Sequence, residues 1–173
     1  MYLCNKVKNN ASKLMVMEYK ELLTIDLGGR LRHGVICNTP KGDGHLCSID
    51  QTIFGTEYGV NISATERDYF NDRDAAIKPY LLPLSSMTEE EAKEIATLRG
   101  LKNILSVQIT DEYIDVIIDD GFNSTEMSTI WYDEIISSIE IFDWLNAHHF
   151  DYRGLIPKGL AIAVTEENNP YKE

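Results

Sequence analysis

Apolar residues along this chain change period several times, and each change predicts an element. From Met17 the pattern is helical: Tyr19, Leu22, Leu23 and Leu27 recur on one helix face, and Gly28-Gly29 offers a stop. A short amphipathic helix is predicted over residues 16–27. Residues 1–15 dilute few apolar groups with Lys6, Lys8, Asn9, Asn10 and Lys13, the composition of a mobile lead. Met15 and Met17 join Met1 as candidate translation starts.

Between residues 34 and 63 the pattern shortens to strands. Val35-Ile36-Cys37 leads into a turn cluster, Pro40-Lys41-Gly42-Asp43-Gly44, and extended runs follow at 45–53 and 58–63 around Gly55. Residues 64–74 are charged and read as a loop. The apolar run 75–84 contains Pro79 and Pro83, which suit an edge strand or an extended connector. One helix with several short strands predicts a small curled sheet over residues 16–84, with an SH3-like form as one candidate.

The second half, residues 85–173, opens on a helix start. Thr88 and Glu91 have capping-box spacing, three glutamates occupy the first turn, and Ala92, Ile95, Ala96 and Leu98 continue to Gly100. Leu105, Val107 and Ile109 then alternate with polar residues, as do Ile114, Val116 and Ile118. This period of two places one apolar face inward and Asp115 and Asp119 on the other. With a third strand at 127–132, the short connections predict an antiparallel meander. A long helix is predicted at 133–148. Ile135, Ile139, Phe142 and Leu145 form one stripe; Ile141, Trp144 and His148 form a second, roughly opposite. The second stripe requires cover, either from a second copy or from the tail 150–164 reversing near His149–Gly154. The predicted fold class is α+β, both halves packing as one unit.

Composition narrows the function classes. The 173 residues are 43% hydrophobic and 9% aromatic, enough for an ordinary core. No apolar run approaches the roughly 20 residues that cross a bilayer. The start lacks the apolar core of a secretory signal. Cys4, Cys37 and Cys47 are odd in number and lack CxxC spacing, which predicts reduced thiols in a cytoplasm. Net charge is −12, split unevenly: residues 1–33 carry +3 and the rest −15, and residues 111–143 hold ten acids with no Lys or Arg. Direct nucleic-acid binding needs a basic footprint, which most of the chain lacks. A solvated acidic face, a basic partner and mimicry of nucleic-acid charge all fit such a balance.

Candidate chemistry concentrates in Trp144-Leu-Asn-Ala-His-His-Phe-Asp-Tyr-Arg-Gly-Leu-Ile156, where Trp144, His148, His149, Tyr152 and Arg153 are the candidate binding residues. His148-His149-x-Asp151 suits a metal only if the helix ends between the histidines, because adjacent helical residues diverge by about 100°; ring packing and C-capping are the structural alternative. Tyr152 and Arg153 offer a ring to stack and a fork for an anion, or else a core plug and an ion pair with Asp143 or Asp151. His45 and Cys47 share a face in a regular strand, against the default of an inert cysteine. Asp115 and Asp119 lie about 13 Å apart along a strand, too far for a retaining glycosidase pair. Gly42-Asp43-Gly44 reads as a hairpin turn and lacks a phosphate-loop frame. No catalytic residue, metal or cofactor is assigned.

Lys78-Pro-Tyr-Leu-Leu-Pro-Leu-Ser-Ser-Met-Thr-Glu-Glu-Glu91, the tract 144–156, Lys158-Gly-Leu-Ala161 and Glu21-Leu-Leu…Arg30-Leu31…Gly34-Val35 together resemble an uncharacterised family of small phage and prophage proteins of gut Bacteroidetes. The resemblance covers about a third of the chain. It departs at Arg32-His33, where that family often has Pro-Tyr, and at Leu82, where it often has Arg. The resemblance implies phage ancestry and an internal start near Met15 or Met17, and it transfers no catalytic residue. The expected function is a non-catalytic phage-type accessory protein that binds a host or phage partner, with counter-defence as its setting. The alternative is a small-molecule or nucleotide binder, or an enzyme, using His149, Tyr152 and Arg153. Self-association is compatible with either.

Overall fold

In a computed structural model, described for residues 19–71, 77–119, 121–122 and 124–172, the first helix continues past its predicted stop. Residues 19–30 are helical (α1), and a 3-10 turn, Leu31–His33, ends at Gly34 in the left-handed region, φ 71°. Gly28-Gly29 does not end the helix because Arg30 is one turn beyond Asp26 and pairs with it. That contact requires helical geometry through both glycines. The lead over residues 1–15 and the first turn expected at 16–18 lie outside the described residues.

The described residues divide into two compact units, one made of 19–71, 77–80 and 157–162, the other of 81–119, 121–122, 124–156 and 163–172. In the first unit, α1 is followed by β1 (Ile36–Thr39), β2 (Gly42–Thr52), β3 (Gly55–Asn61), β4 (Arg67–Asn71) and β5 (Lys78–Leu81). These pair antiparallel in the order β4-β3-β2-β1-β5, to which a short strand β9 (Ile162–Ala163) adds beyond β5. The order is linear and does not close, so the SH3-like barrel form is absent. The strand β4 corrects the loop reading of residues 64–74: charged Arg67 and Asp68 hid a segment that pairs with β3 and buries Phe70. Residues 72–76 of that reading lie outside the described residues. Pro79 sits in β5 opposite Cys37, and β5 is not the terminal strand of the sheet.

One local device recurs at three connections. Thr39 Oγ1 donates to the Gly42 carbonyl (2.6 Å) and accepts from Lys41 N (3.2 Å), closing β1–β2 around Pro40-Lys41. Thr52 repeats both bonds with Gly55 (2.9 Å) and Phe54 (3.1 Å), closing β2–β3. Thr110 does the same with Tyr113 (2.9 Å) and Glu112 (3.2 Å). Each threonine supplies the partners that a tight turn would otherwise leave to water. The turn cluster predicted at 40–44 is therefore confined to Pro40 and Lys41, and Gly42-Asp43-Gly44 is strand. The first core gathers Leu27, Val35, Cys37, Leu46, Tyr58, Val60 and Phe70.

In the second unit, Thr88 caps α2 (Glu89–Leu98) with the predicted box: Glu91 N donates to Thr88 Oγ1 (3.2 Å), and Thr88 N to the Glu91 carboxylate (2.8 Å). The antiparallel meander β6 (Ile104–Ile109), β7 (Tyr113–Asp119), β8 (Thr125–Trp131) follows. A bulge between Ile104 and Ser106 interrupts the alternation of β6. Leu105, expected inward with Val107, is consequently 56% exposed, and Ile104 packs on the core in its place.

The helix predicted at 133–148 is shorter. Tyr132–Glu134 is a 3-10 turn, and α3 spans Ile139–Ala147 from its N-cap Ser138, whose hydroxyl accepts from Ile141 N (3.3 Å). Starting at Ser138 regroups the stripes: Ile141 and Leu145 form the buried face, and Ile139 is 72% exposed. Ala92, Ile95 and Ala96 of α2, Val107, Ile114, Val116 and Ile130 of the meander, and Ile141 and Leu145 of α3 make the second core. The architecture is α+β, with three helices and nine strands in two sheets among the described residues. No helix among them is long and apolar enough to cross a membrane.

Candidate functional site

The tract that follows α3 is built on a reversal. His148 N donates to the Trp144 carbonyl, and His149 takes a left-handed conformation, φ 58°. The next residues then bond to Leu82: Leu82 N donates to the His149 carbonyl (2.9 Å), and Asp151 N to the Leu82 carbonyl (2.8 Å). Phe150 is thereby fixed beside Leu82 and turned into the second core. The fold-back expected near His149–Gly154 is present. Asp151 holds it, since its two carboxylate oxygens accept from Leu155 N (2.8 Å) and Ile156 N (2.7 Å).

The five candidate binding residues separate into three contacts. Trp144 stacks on His148 with ring centroids 3.8 Å apart and lies 5.8 Å from the parallel Phe150 ring. Its indole N–H donates to Glu94 on α2 (2.8 Å), while His148 Nδ1 lies 2.9 Å from the Trp144 carbonyl. His149 instead stacks on Tyr171, 4.2 Å away. Tyr152 meets the Phe142 ring edge-on at 5.7 Å and donates its hydroxyl proton to the buried Asn146 side chain (2.8 Å). The Arg153 guanidinium covers both rings, 5.1 Å from Tyr152 and 5.7 Å from Phe142. The two adjacent histidines are thus carried to different aromatic partners. Trp144 borders a shallow groove of about 320 Å³ with Lys93, Glu94, Thr97 and Leu98, without the other four candidates.

The remaining candidates are also placed. The bulge between Leu46 and Ser48 falls at Cys47 and breaks the strand period that put it on one face with His45. Cys47 Sγ donates to the Gly59 carbonyl (3.1 Å), while His45 Nδ1 lies 3.1 Å from the Gly34 carbonyl, so the two do not form a dyad. Burial, reinforced by the nearby Asp26, pushes the Cys37 thiol up to about 12, which keeps it protonated and unreactive at neutral pH. Asp43 accepts from Asn38 (2.7 Å) and from the Tyr80 hydroxyl (3.1 and 3.2 Å). A second groove, about 480 Å³, runs between α1 and the β2–β3 hairpin past Lys20, Thr24 and Thr56.

Two features escaped the sequence reading. Asp26 and Arg30 form a fully buried ion pair on α1, and their i, i+4 spacing beside Leu23 and Leu27 was the available signal. The other is the outer face of the meander. There Tyr113 pairs with Trp131, Asp115 with Thr129, Ile117 with Met127 and Asp119 with Thr125. Trp131 is 46%, Ile117 39% and Met127 66% exposed. The signal was the unbroken run Val116-Ile117-Ile118, since a half-buried strand that alternates has no use for an apolar residue at 117. Comparison with protein-family models, curated proteins and solved structures finds no match.

Proposed function

We propose that this protein is a non-catalytic binding protein that engages another protein through an exposed surface of its second unit. The observation that carries this reading is the outer face of β6-β7-β8, where Leu105, Ile117, Met127 and Trp131 present apolar side chains to solvent. Large apolar side chains exposed together on one face, set among polar ones, favour a partner site. The chemistry-rich tract 144–156 contributes structure: Trp144 stacks on His148 and Phe150, Asp151 accepts from Leu155 and Ile156, and Tyr152 donates to Asn146 of α3. Its five candidate residues pack in separate contacts, Trp144 with His148, His149 with Tyr171, and Tyr152 with Arg153 and Phe142, which supports a structural role for them.

The resemblance to phage and prophage proteins supplies the setting: an accessory protein that acts in the cytoplasm of a bacterial host and counters a defence component. The experiment is cross-linking in bacterial cells challenged with phage, comparing the wild type with an Ile117→Ser/Met127→Ser variant. The binding reading expects a stoichiometric protein partner together with a rise in phage plating efficiency. A chain that cross-links to no protein and leaves plating unchanged refutes it.

A further inference from the structure

We infer that the outer face of the meander receives a basic protein surface on which cationic and apolar side chains alternate. This deepens the binding reading and rests on it. The face is ordered in rows. Along β7 the outward residues are Tyr113, Asp115, Ile117 and Asp119, and each has its β8 partner directly opposite. The rows therefore run aromatic, carboxylate, aliphatic, carboxylate, at about 6.6 Å per row, two residues of strand rise. Tyr113 and Trp131 meet edge-to-face at 4.9 Å, and Thr129 donates to Asp115 (2.7 Å), so the first two rows are locked laterally. On β6, Leu105 is turned outward by its bulge near the Ile117 row.

Charge decides the occupant. Residues 103–152 contain eleven Asp or Glu and no Lys or Arg, so no cation of β6, β7 or β8 offsets the two carboxylate rows. Nucleic acid and anionic lipid are repelled by such a face. A second copy brings the same carboxylates and no cation from its own meander. A partner with Lys or Arg spaced between apolar groups satisfies both kinds of row, and an extended segment supplies that spacing because its same-face residues repeat at nearly the same distance.

The test uses the full chain and synthetic cyclic β-hairpin peptides. One peptide alternates leucine and arginine along a single face, a second has the same composition in shuffled order, and a third carries glutamate in place of arginine. Binding is read by calorimetry and by backbone amide shifts. The alternating peptide is expected to bind saturably, to shift amides of β7 and β8, and to weaken with added salt. It should also bind at least about tenfold more tightly than the shuffled one. Ile117→Ser/Met127→Ser should abolish that preference, and Asp115→Asn/Asp119→Asn the salt dependence, with both variants folded by circular dichroism.

Equal binding of the alternating and shuffled peptides, shifts confined to another surface, or no binding overturns the inference. So does a concentration-dependent dimer that the Ile117→Ser/Met127→Ser variant abolishes. Failure here, with the cellular cross-linked partner retained by that variant, removes this face and leaves the broader binding reading standing.

Discussion

Asp26 and Arg30 sit one helical turn apart and form a two-pronged ion pair, 2.7 and 3.1 Å, with neither side chain exposed to solvent. Burying either charge alone is costly, whereas the pair offsets much of that cost by mutual attraction. Arg30→Met is therefore expected to destabilise the chain by about 3–5 kcal/mol, because Asp26 is left charged in an apolar setting. The double variant Asp26→Leu/Arg30→Met should recover most of the loss. Urea unfolding of the three variants checks this; a double variant as unstable as Arg30→Met would show that the pair has no compensating role.

Removing the α2 cap should be cheap and local. Thr88→Ala loses the acceptor for Glu91 N and is expected to cost about 1 kcal/mol. Thermal unfolding measures it. An unchanged midpoint would mean that α2 tolerates an open first turn, or begins at another residue.

Tyr152 offers a test of the tract as structure. Its hydroxyl satisfies Asn146, which is fully buried. Tyr152→Phe keeps the ring against Phe142 and leaves the amide oxygen of Asn146 short of a donor, at a cost of about 1–3 kcal/mol. Stability lost by this variant without loss of partner binding fits a structural role. Binding lost at unchanged stability contradicts that role and returns the residue to the list of contacts.

Stability should fall on the alkaline side. The Cys37 thiol is raised from 9.0 to about 12 by burial and by Asp26, and the Tyr132 phenol from 10.0 to about 12 by burial and by Asp111. Both groups hold their protons longer in the folded chain than in the unfolded one. Their contribution is complete below pH 9 and is lost progressively as the pH rises towards about 12. Tyr132 also donates to the Leu84 and Thr110 carbonyls, bonds that ionisation removes. Tyr132→Phe should lower stability at neutral pH and flatten its alkaline decline. An alkaline slope identical to the wild type would exclude Tyr132 as a source.

The two faces of the meander should respond differently to substitution. Ile114 is buried in the core, and Ile114→Ala is expected to cost about 2–5 kcal/mol. Leu105→Ser, on the outward bulge, should change stability by less than about 0.5 kcal/mol. Chemical denaturation of the two variants separates them; comparable losses would place Leu105 in the core.

What the sequence determined by itself was local. The Thr88–Glu91 box, the period of two in β7 and the short meander connections depend on residues within a few positions of one another, and near neighbours suffice to specify them. The reversal after α3 was legible for the same reason, since it needs only a turn and a glycine a few residues on. What depended on a distant partner was not legible. The strand β4 exists because β3 offers it a ladder, and its charged start concealed that. Leu105 and Cys47 lie at bulges, each of which shifts every later side chain by one face, and a bulge is set by pairing between strands. Asp26 and Arg30 are buried because the sheet covers α1, which their spacing alone does not reveal. Trp144, His148, His149, Tyr152 and Arg153 are close in the chain, yet the reversal at His149 leaves Trp144 with His148, His149 with Tyr171, and Tyr152 with Arg153. The exposed face of Ile117 and Met127 exists because α2 and α3 cover the opposite side of the same strands. Proximity in sequence specifies turns and caps; burial is decided by which surfaces of the folded chain meet.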